Sequence, residues 1–193
     1  LTLVASVEQA PVDFMRPRQH IPLSFIINEP QCVFRQIFES TLRQREITLE
    51  NTIELWSIES IKQFADEVEL SLIRPLLDKQ IRCNMDIAYE GISGGYGLGI
   101  GHIIRASYAD STVTRMKAYA AAASEARMDG CDMPVIITSG SGNQGIASTV
   151  PVIVYAREKQ IPEETMMRAL VFSSLLTVYQ KEYIGKLSAF CGA

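Results

Sequence analysis

Glycine is missing from the first 90 residues of this 193-residue chain, and all twelve glycines lie from Gly91 onward. Four of the eight prolines (Pro11, Pro17, Pro22 and Pro30) fall in the first thirty positions. Such a change in turn chemistry marks a domain boundary, placed between residues 45 and 57. No CxxC pair occurs: Cys32, Cys83, Cys131 and Cys191 stand far apart. That excludes the disulfide framework of a small secreted domain and predicts a reducing, cytoplasmic setting. No basic stripe is visible, and a net charge of −4 with a pI near 5.3 argues against nucleic acid as a partner. No apolar run approaches the roughly 20 residues that cross a bilayer, so no membrane partner is expected. The apolar residues 151–156 run directly into Arg157, Glu158 and Lys159. An initiator Met is absent, and the chain stops after Phe190, Cys191 and Gly192 without a polar tail, so it reads as a piece truncated at both ends.

What is present is a core-forming composition, 47% hydrophobic and 21% charged. Residues 1–50 read as a segment of short strands at 1–7 and 22–28, with a helix at 33–42. From Ile58 the apolar spacing is helical, through Ile61, Phe64, Ala65 and Val68, and continues over residues 70–88 with Pro75 expected near a helix start. A further helix is predicted over 112–128, with Asp110 or Ser111 as N-cap and Gly130 as the glycine after its end. Its run Ala120, Ala121, Ala122 and Ala123 allows a neighbour to approach closely. Another helix starts at Pro162, whose followers Glu163 and Glu164 suit the positive helix end, and runs to about Tyr179. The predicted fold is mainly α, a helical domain over 51–193 with an α+β appendage at its N-terminus.

Two glycine-rich stretches interrupt the helical pattern. Residues 91–101, GISGGYGLGIG, either wrap a ligand or form a tight linker between helices. Residues 139–145, SGSGNQG, follow an apolar run and lead into a helix. Small residues entering a helix present backbone N–H groups and the positive end of the dipole, an arrangement that holds a phosphate or carboxylate. Ser139, Ser141, Asn143 and Gln144 add side-chain donors around Gly140, Gly142 and Gly145. The three glycines also satisfy GxGxxG, which alone is a weak dinucleotide fingerprint, and the helical surroundings count against it. No Lys follows them, so a phosphate-binding loop of the Walker kind is excluded. A small carboxylate is the better guest.

The run CDMPVIITSGSGNQGI at residues 131–146 resembles the signature of the cysteine desulfidase family, related to the α-chain of bacterial L-serine dehydratase. Residues 84–101, the Ala-rich AAAASEARMDG ending at Gly130, and LSAFCG at 187–192 are similar to further family segments in the same order. The likeness covers about residues 52–193. It implies a lyase performing β-elimination on L-cysteine or L-serine, with sulfide or water leaving and pyruvate and ammonia formed. It also implies a 4Fe-4S cluster held by three cysteines, with one iron left open as a Lewis acid. Cys191 matches one ligand, and the other two fall outside this chain. The piece alone is therefore expected to lack both cluster and activity. Alternatives are a dinucleotide-binding oxidoreductase, resting on residues 140–145, and a non-catalytic ligand-binding domain.

Arg127 is a candidate clamp for the substrate carboxylate, or a surface partner of Glu125 or Asp129. Cys32 and Cys83 are read as core residues, and His102 as structural before catalytic. Met128, Met133, Met166 and Met167 are read as core packing. No general base stands out, cysteine and serine are not separated as substrates, and the oligomeric state, a homo-oligomer included, is left open.

Overall fold

In a computed structural model, the described residues are 37–38 and 57–184, apart from the side chains of Glu182 and Ile184. The strands expected before residue 50, and with them Cys32, lie outside the described residues. Six helices follow from Ile58: α1 (Ile58–Glu67), α2 (Leu70–Ser93), α3 (Ile100–Ser107), α4 (Thr112–Met128), α5 (Gly142–Glu158) and α6 (Glu163–Ile184). The domain is mainly α. The sole β pairing among the described residues is an isolated bridge between Thr138 and Ser141.

Each helix begins and ends for a local reason. Ser57 and Ser60 cap α1 reciprocally, each side chain accepting from the other's backbone N–H. Ser111 caps α4 through the amide of Thr114 at 3.1 Å. The end of α4 closes in a Schellman turn: Gly130 takes φ +92°, and the Cys131 amide reaches back to the Ala126 carbonyl at 3.0 Å. α5 ends the same way, with Ile161 bonded to Ala156 at 2.8 Å, but there Gln160 occupies the left-handed position at φ +52°. A side chain in that region costs roughly 1–2 kcal/mol, which glycine avoids. Gln160→Gly should raise stability by about 1 kcal/mol after the extra chain entropy of glycine is subtracted. Urea unfolding reads this directly, and a lowered midpoint would mean that the Gln160 side chain stabilises the turn by more than its strain.

Helices α2, α4, α5 and α6 pack around one core, with α1 laid on α6 and α3 on α4. Ile73, Leu77, Ile87, Ile146, Val150, Ile153, Leu170 and Leu175 are fully enclosed. Burial of each such side chain is worth about 1.5–3 kcal/mol, the main force holding the bundle. The alanine face of α4 (Ala118, Ala122, Ala123 and Ala126) lets neighbours come to backbone distance, as its sequence suggests. A Cβ on Gly91 of α2 would stand 2.3 Å from the Ala122 carbonyl oxygen, and one on Gly101 of α3 would stand 2.8 Å from the Ala122 Cβ. The first glycine-rich stretch is therefore partly helical. Gly91 belongs to α2, which runs past Ala88 to Ser93, and Gly101 belongs to α3, a helix the spacing does not announce.

Two other expectations shift. Pro75 lies inside α2 and not at its start. It stands in the second turn, where its ring removes the one bond that residue 75 would donate to the Ser71 carbonyl. Met166 and Met167 are core residues, but Met128 and Met133 are exposed, at 69% and 38%, because they flank the end of α4 and the loop after it. α6 opens at Glu163, one residue after Pro162, with the Pro162 carbonyl accepting from Met166 at 3.0 Å.

Candidate functional site

Past Gly130 the chain runs extended, and its path is fixed by one buried amide, Asn84 of α2. The Asn84 Oδ1 accepts from the Ile136 amide at 2.8 Å. Its Nδ2 donates to the Ile136 carbonyl at 3.2 Å, to the Gly145 carbonyl at 3.3 Å and to Thr149 Oγ1 at 2.8 Å. The Thr149 hydroxyl in turn donates to the Gly145 carbonyl at 2.7 Å. Asn84 thus pairs as a neighbouring strand would, without a sheet, and ties the entering segment to the first turns of α5. Because the Ile136 amide can only donate, the orientation of the Asn84 amide is settled by the network itself.

A tight reversal follows. Thr138 and Ser141 exchange backbone hydrogen bonds at 3.1 and 3.2 Å, with Ser139 at φ +50° and Gly140 at φ +81° between them. Two successive positive φ values are the mark of a type I′ turn, which glycine suits and serine tolerates at a cost. Ser141 then caps α5, its Oγ accepting from the Gln144 amide at 3.3 Å, and the Gly145 amide enters the helix at 3.0 Å from the Ser141 carbonyl. The turn, the cap and the helix consume the amides of Thr138, Ser141, Gln144 and Gly145. The amides of Gly142 and Asn143, first in the helix, meet no protein acceptor among the described residues. These are the orphan donors of a helix N-terminus, where the dipole also favours an anion.

Arg127, from the last turn of α4, closes one side. Its Nη1 donates to Asn143 Oδ1 at 3.1 Å. A Cβ on Gly142 would stand 2.4 Å from the Arg127 Nε, so glycine is what admits the guanidinium. Glu125 and Asp129 do not pair with it. Glu125 accepts from the amides of Leu98 and Ile100 at 2.6 and 2.7 Å, and Asp129 from Gly97 at 2.9 Å. The first glycine-rich stretch is thereby strapped to α4 through the amides of Gly97, Leu98 and Ile100, in the way a linker between α2 and α3 would be. The open groove beside it, about 480 Å³ and lined by Gly97, Ile100, Met128 and Asp129 among others, belongs to that strap and not to residues 139–145.

The seven loop residues do different work. Gly142 makes room for Arg127, and Asn143 holds it. Ser141 caps the helix. Ser139 and Gly140 form the reversal. Gly145 packs against the Ile136 carbonyl, where an added Cβ would come within 2.1 Å. Gln144 has its Oε1 enclosed without a partner among the described residues. Sequence reasoning overlooks Asn84 and Thr149, although polar residues at core-facing helical positions are a signal that was available.

His102 is solvent-exposed on α3. Cys83 is buried in the core at 6% exposure, as expected of a free thiol on an apolar face. Cys131 is half-buried beside Tyr96, whose hydroxyl also donates to Glu90 Oε1 at 3.0 Å. Hydrogen bonding to Cys131 first, and to Glu90 second, pushes the Tyr96 phenol above its usual range. Cys191 lies outside the described residues. Among the described residues no three His, Cys, Asp or Glu side chains gather to hold a metal ion, so these residues do not by themselves make a cluster site.

The serine dehydratase alpha chain family profile matches residues 36–193, and the whole of this loop lies within the match. The chain belongs to that family. Similar proteins include a UPF0597 protein of Desulfitobacterium hafniense, 51% identical over 138 residues, covering 72% of this chain and 32% of that protein. One of Lachnoclostridium phytofermentans is 46% identical over 137 residues, 71% of this chain and 33% of its own length. One of Fusobacterium nucleatum is 38% identical over 184 residues, covering 90% of this chain and 41% of that protein. The serine dehydratase-like chain thus spans about a third to two-fifths of the relatives it matches. No solved structure matches it. Among the described residues no helix is long and apolar enough to cross a membrane.

Proposed function

We propose that the full-length polypeptide is a lyase acting on a small L-amino acid, cysteine or serine. The Cα proton is removed, the Cβ–S or Cβ–O bond breaks, and sulfide or water leaves. The aminoacrylate then takes up water to give pyruvate and ammonia. The observation that carries this reading is the pair of unspent amides at the start of α5 with the Arg127 guanidinium held beside them. The amides of Gly142 and Asn143 and the fixed cation of Arg127 receive the substrate carboxylate. The Thr138–Ser141 reversal and the Asn84 network keep those donors in place before the ligand arrives, so little ordering is left for binding to supply.

A 4Fe-4S cluster with Cys191 as one ligand, working in a reducing cytoplasm, belongs to this proposal. Its open iron would supply the Lewis acidity for the leaving group. The GxGxxG at 140–145 does not favour a dinucleotide, because no parallel sheet precedes it among the described residues.

Titration of the full-length polypeptide with pyruvate, followed by backbone amide NMR, should shift Gly142 and Asn143 most. Arg127→Met should weaken that binding about tenfold or more, the loss expected when a charge-assisted hydrogen bond goes. Anaerobic reconstitution with iron and sulfide should give cluster absorbance and lyase turnover, and Cys191→Ala should lose both. Full iron content and normal turnover in Cys191→Ala would sink the ligand assignment. Unmoved Gly142 and Asn143 amides would sink the carboxylate site.

A further inference from the structure

Among the described residues, three enclosed polar atoms have no hydrogen-bond partner: Lys181 Nζ on α6, Gln80 Oε1 on α2 and Gln144 Oε1 on α5. Lys181 is the most demanding, an ammonium-bearing side chain only 1% exposed. A buried cation is ordinarily paired, because an unpaired one forfeits its hydration for nothing.

The packing of α6 shows where Lys181 faces. Ser173 Oγ donates to the Ser148 carbonyl at 2.7 Å, which fixes the register of the antiparallel α5–α6 pair. Lys181 lies eight residues beyond Ser173, about 12 Å at helical rise, and Gly142, the first residue of α5, lies six before Ser148, about 9 Å, with the Thr138–Ser141 turn just beyond it. Lys181 therefore sits at the level of the 139–145 loop. Around the helix, at about 100° per residue, it points between Ser173, which faces α5, and Ser174, which faces α2 through Gln80 Nε2 at 3.4 Å. A helical side chain also leans toward the N-terminus of its helix, here toward the first turn of α5. Lys181 is thus directed toward α2, on the side of the seam with α5 that Asn84 spans, about 20° from Ser174 around the helix. Gln144, whose Oε1 is likewise unpartnered, stands in that first turn.

We infer that Lys181 is the buried counter-ion of the substrate carboxylate at the start of α5, and that the Gln144 carbonyl accepts from the substrate's ammonium. The inference rests on the reading of residues 139–145 as an amino-acid site and adds the groups that select its guest. One enclosed donor cation and one enclosed acceptor complement an α-amino acid, which carries a carboxylate and an ammonium on one carbon. Pyruvate satisfies only the first. The orphan amides of Gly142 and Asn143 share the carboxylate with Lys181, so the negative charge is met from two sides.

The test uses the full-length polypeptide and isothermal titration with pyruvate and with L-serine. Wild-type protein should bind both, and L-serine more tightly. Lys181→Met should bind either ligand about tenfold to a hundredfold more weakly, as when a hydrogen bond to a charged group is lost. It should also unfold at the same or a higher temperature than wild type without ligand, since an unpaired buried charge has been replaced by a chain of similar shape. Gln144→Leu should lose the preference for L-serine over pyruvate and leave pyruvate binding in place. If Lys181→Met fails to fold, Lys181→Arg decides, with retained pyruvate binding supporting the counter-ion role and lost binding overturning it. A folded Lys181→Met that binds like wild type overturns the inference and leaves the loop reading intact. A Lys181→Met that melts lower and binds normally marks a structural lysine and likewise overturns it. Failure of wild type to bind pyruvate or L-serine overturns both readings together.

Discussion

Asn84→Ala should destabilise the domain by about 3–5 kcal/mol and release the signature loop with it. The Asn84 side chain is fully buried and meets the Ile136 amide, two carbonyls and Thr149 Oγ1. Truncation orphans the Ile136 amide and carbonyl in the interior, where each unsatisfied backbone group costs about 1–3 kcal/mol. It also leaves a cavity the size of the lost amide. The Gly145 carbonyl keeps its bond from Thr149, which limits the loss. Set against the 5–15 kcal/mol typical of a whole domain, the remainder is severe. Asn84→Asp should be no better. It retains an acceptor for Ile136 but sets a second oxygen against the two carbonyls that Nδ2 now serves. Urea unfolding measures the loss. Amide hydrogen exchange locates it, with Ile136 and the first turns of α5 losing protection ahead of the Leu170 and Leu175 region of α6. If both variants unfold like wild type and Ile136 stays protected, Asn84 does not organise the loop.

The helical bundle was legible in the sequence because its signals are local. Ile61, Phe64 and Ala65 repeat at helical spacing, Ser111 and Gly130 bracket α4, and the alanines of α4 announce close neighbours. The loop at 139–145 was legible for the same reason: a cluster of small polar residues between an apolar run and a helix is a local pattern. What organises the loop was not. Asn84 lies 52 residues before Ile136 and 61 before Gly145, and spacing within one segment says nothing about a bond between segments. Glu125 and Asp129 read as ordinary surface carboxylates at the end of α4. Their use in tying down residues 97–100 depends on where α3 folds back. The role of Gly91 was not legible for a similar reason, since a glycine inside a helix gives no sign of its purpose until its neighbour is known to be the backbone of Ala122.

Gly145→Ala and Gly142→Ala, three residues apart on α5, should fail in different ways. Neither glycine has a positive φ, so neither is required by its backbone conformation. Helix propensity alone would make each substitution stabilising by about 1 kcal/mol. Sterics decide otherwise. At Gly145 the new methyl would stand 2.1 Å from the Ile136 carbonyl oxygen and 3.0 Å from the Ile137 backbone. Those atoms are backbone held by Asn84, so relief requires moving the entering segment off α5 and breaking the network that fixes it. Overpacking against backbone should outweigh the propensity gain by about 3 kcal/mol or more. At Gly142 the methyl meets the Arg127 Nε at 2.4 Å and Cζ at 2.7 Å, with Val135 Cγ2 at 3.0 Å. The guanidinium sits at the far end of a flexible side chain and can swing away. Stability should then change by less than about 1 kcal/mol, while the bond from Arg127 to Asn143 is lost and carboxylate binding weakens about tenfold. Thermal unfolding and pyruvate titration of the two variants separate these outcomes. A stable Gly145→Ala protein would mean that residues 136–137 do not pack on α5. An unchanged pyruvate affinity in Gly142→Ala would mean that Arg127 does not hold the anion.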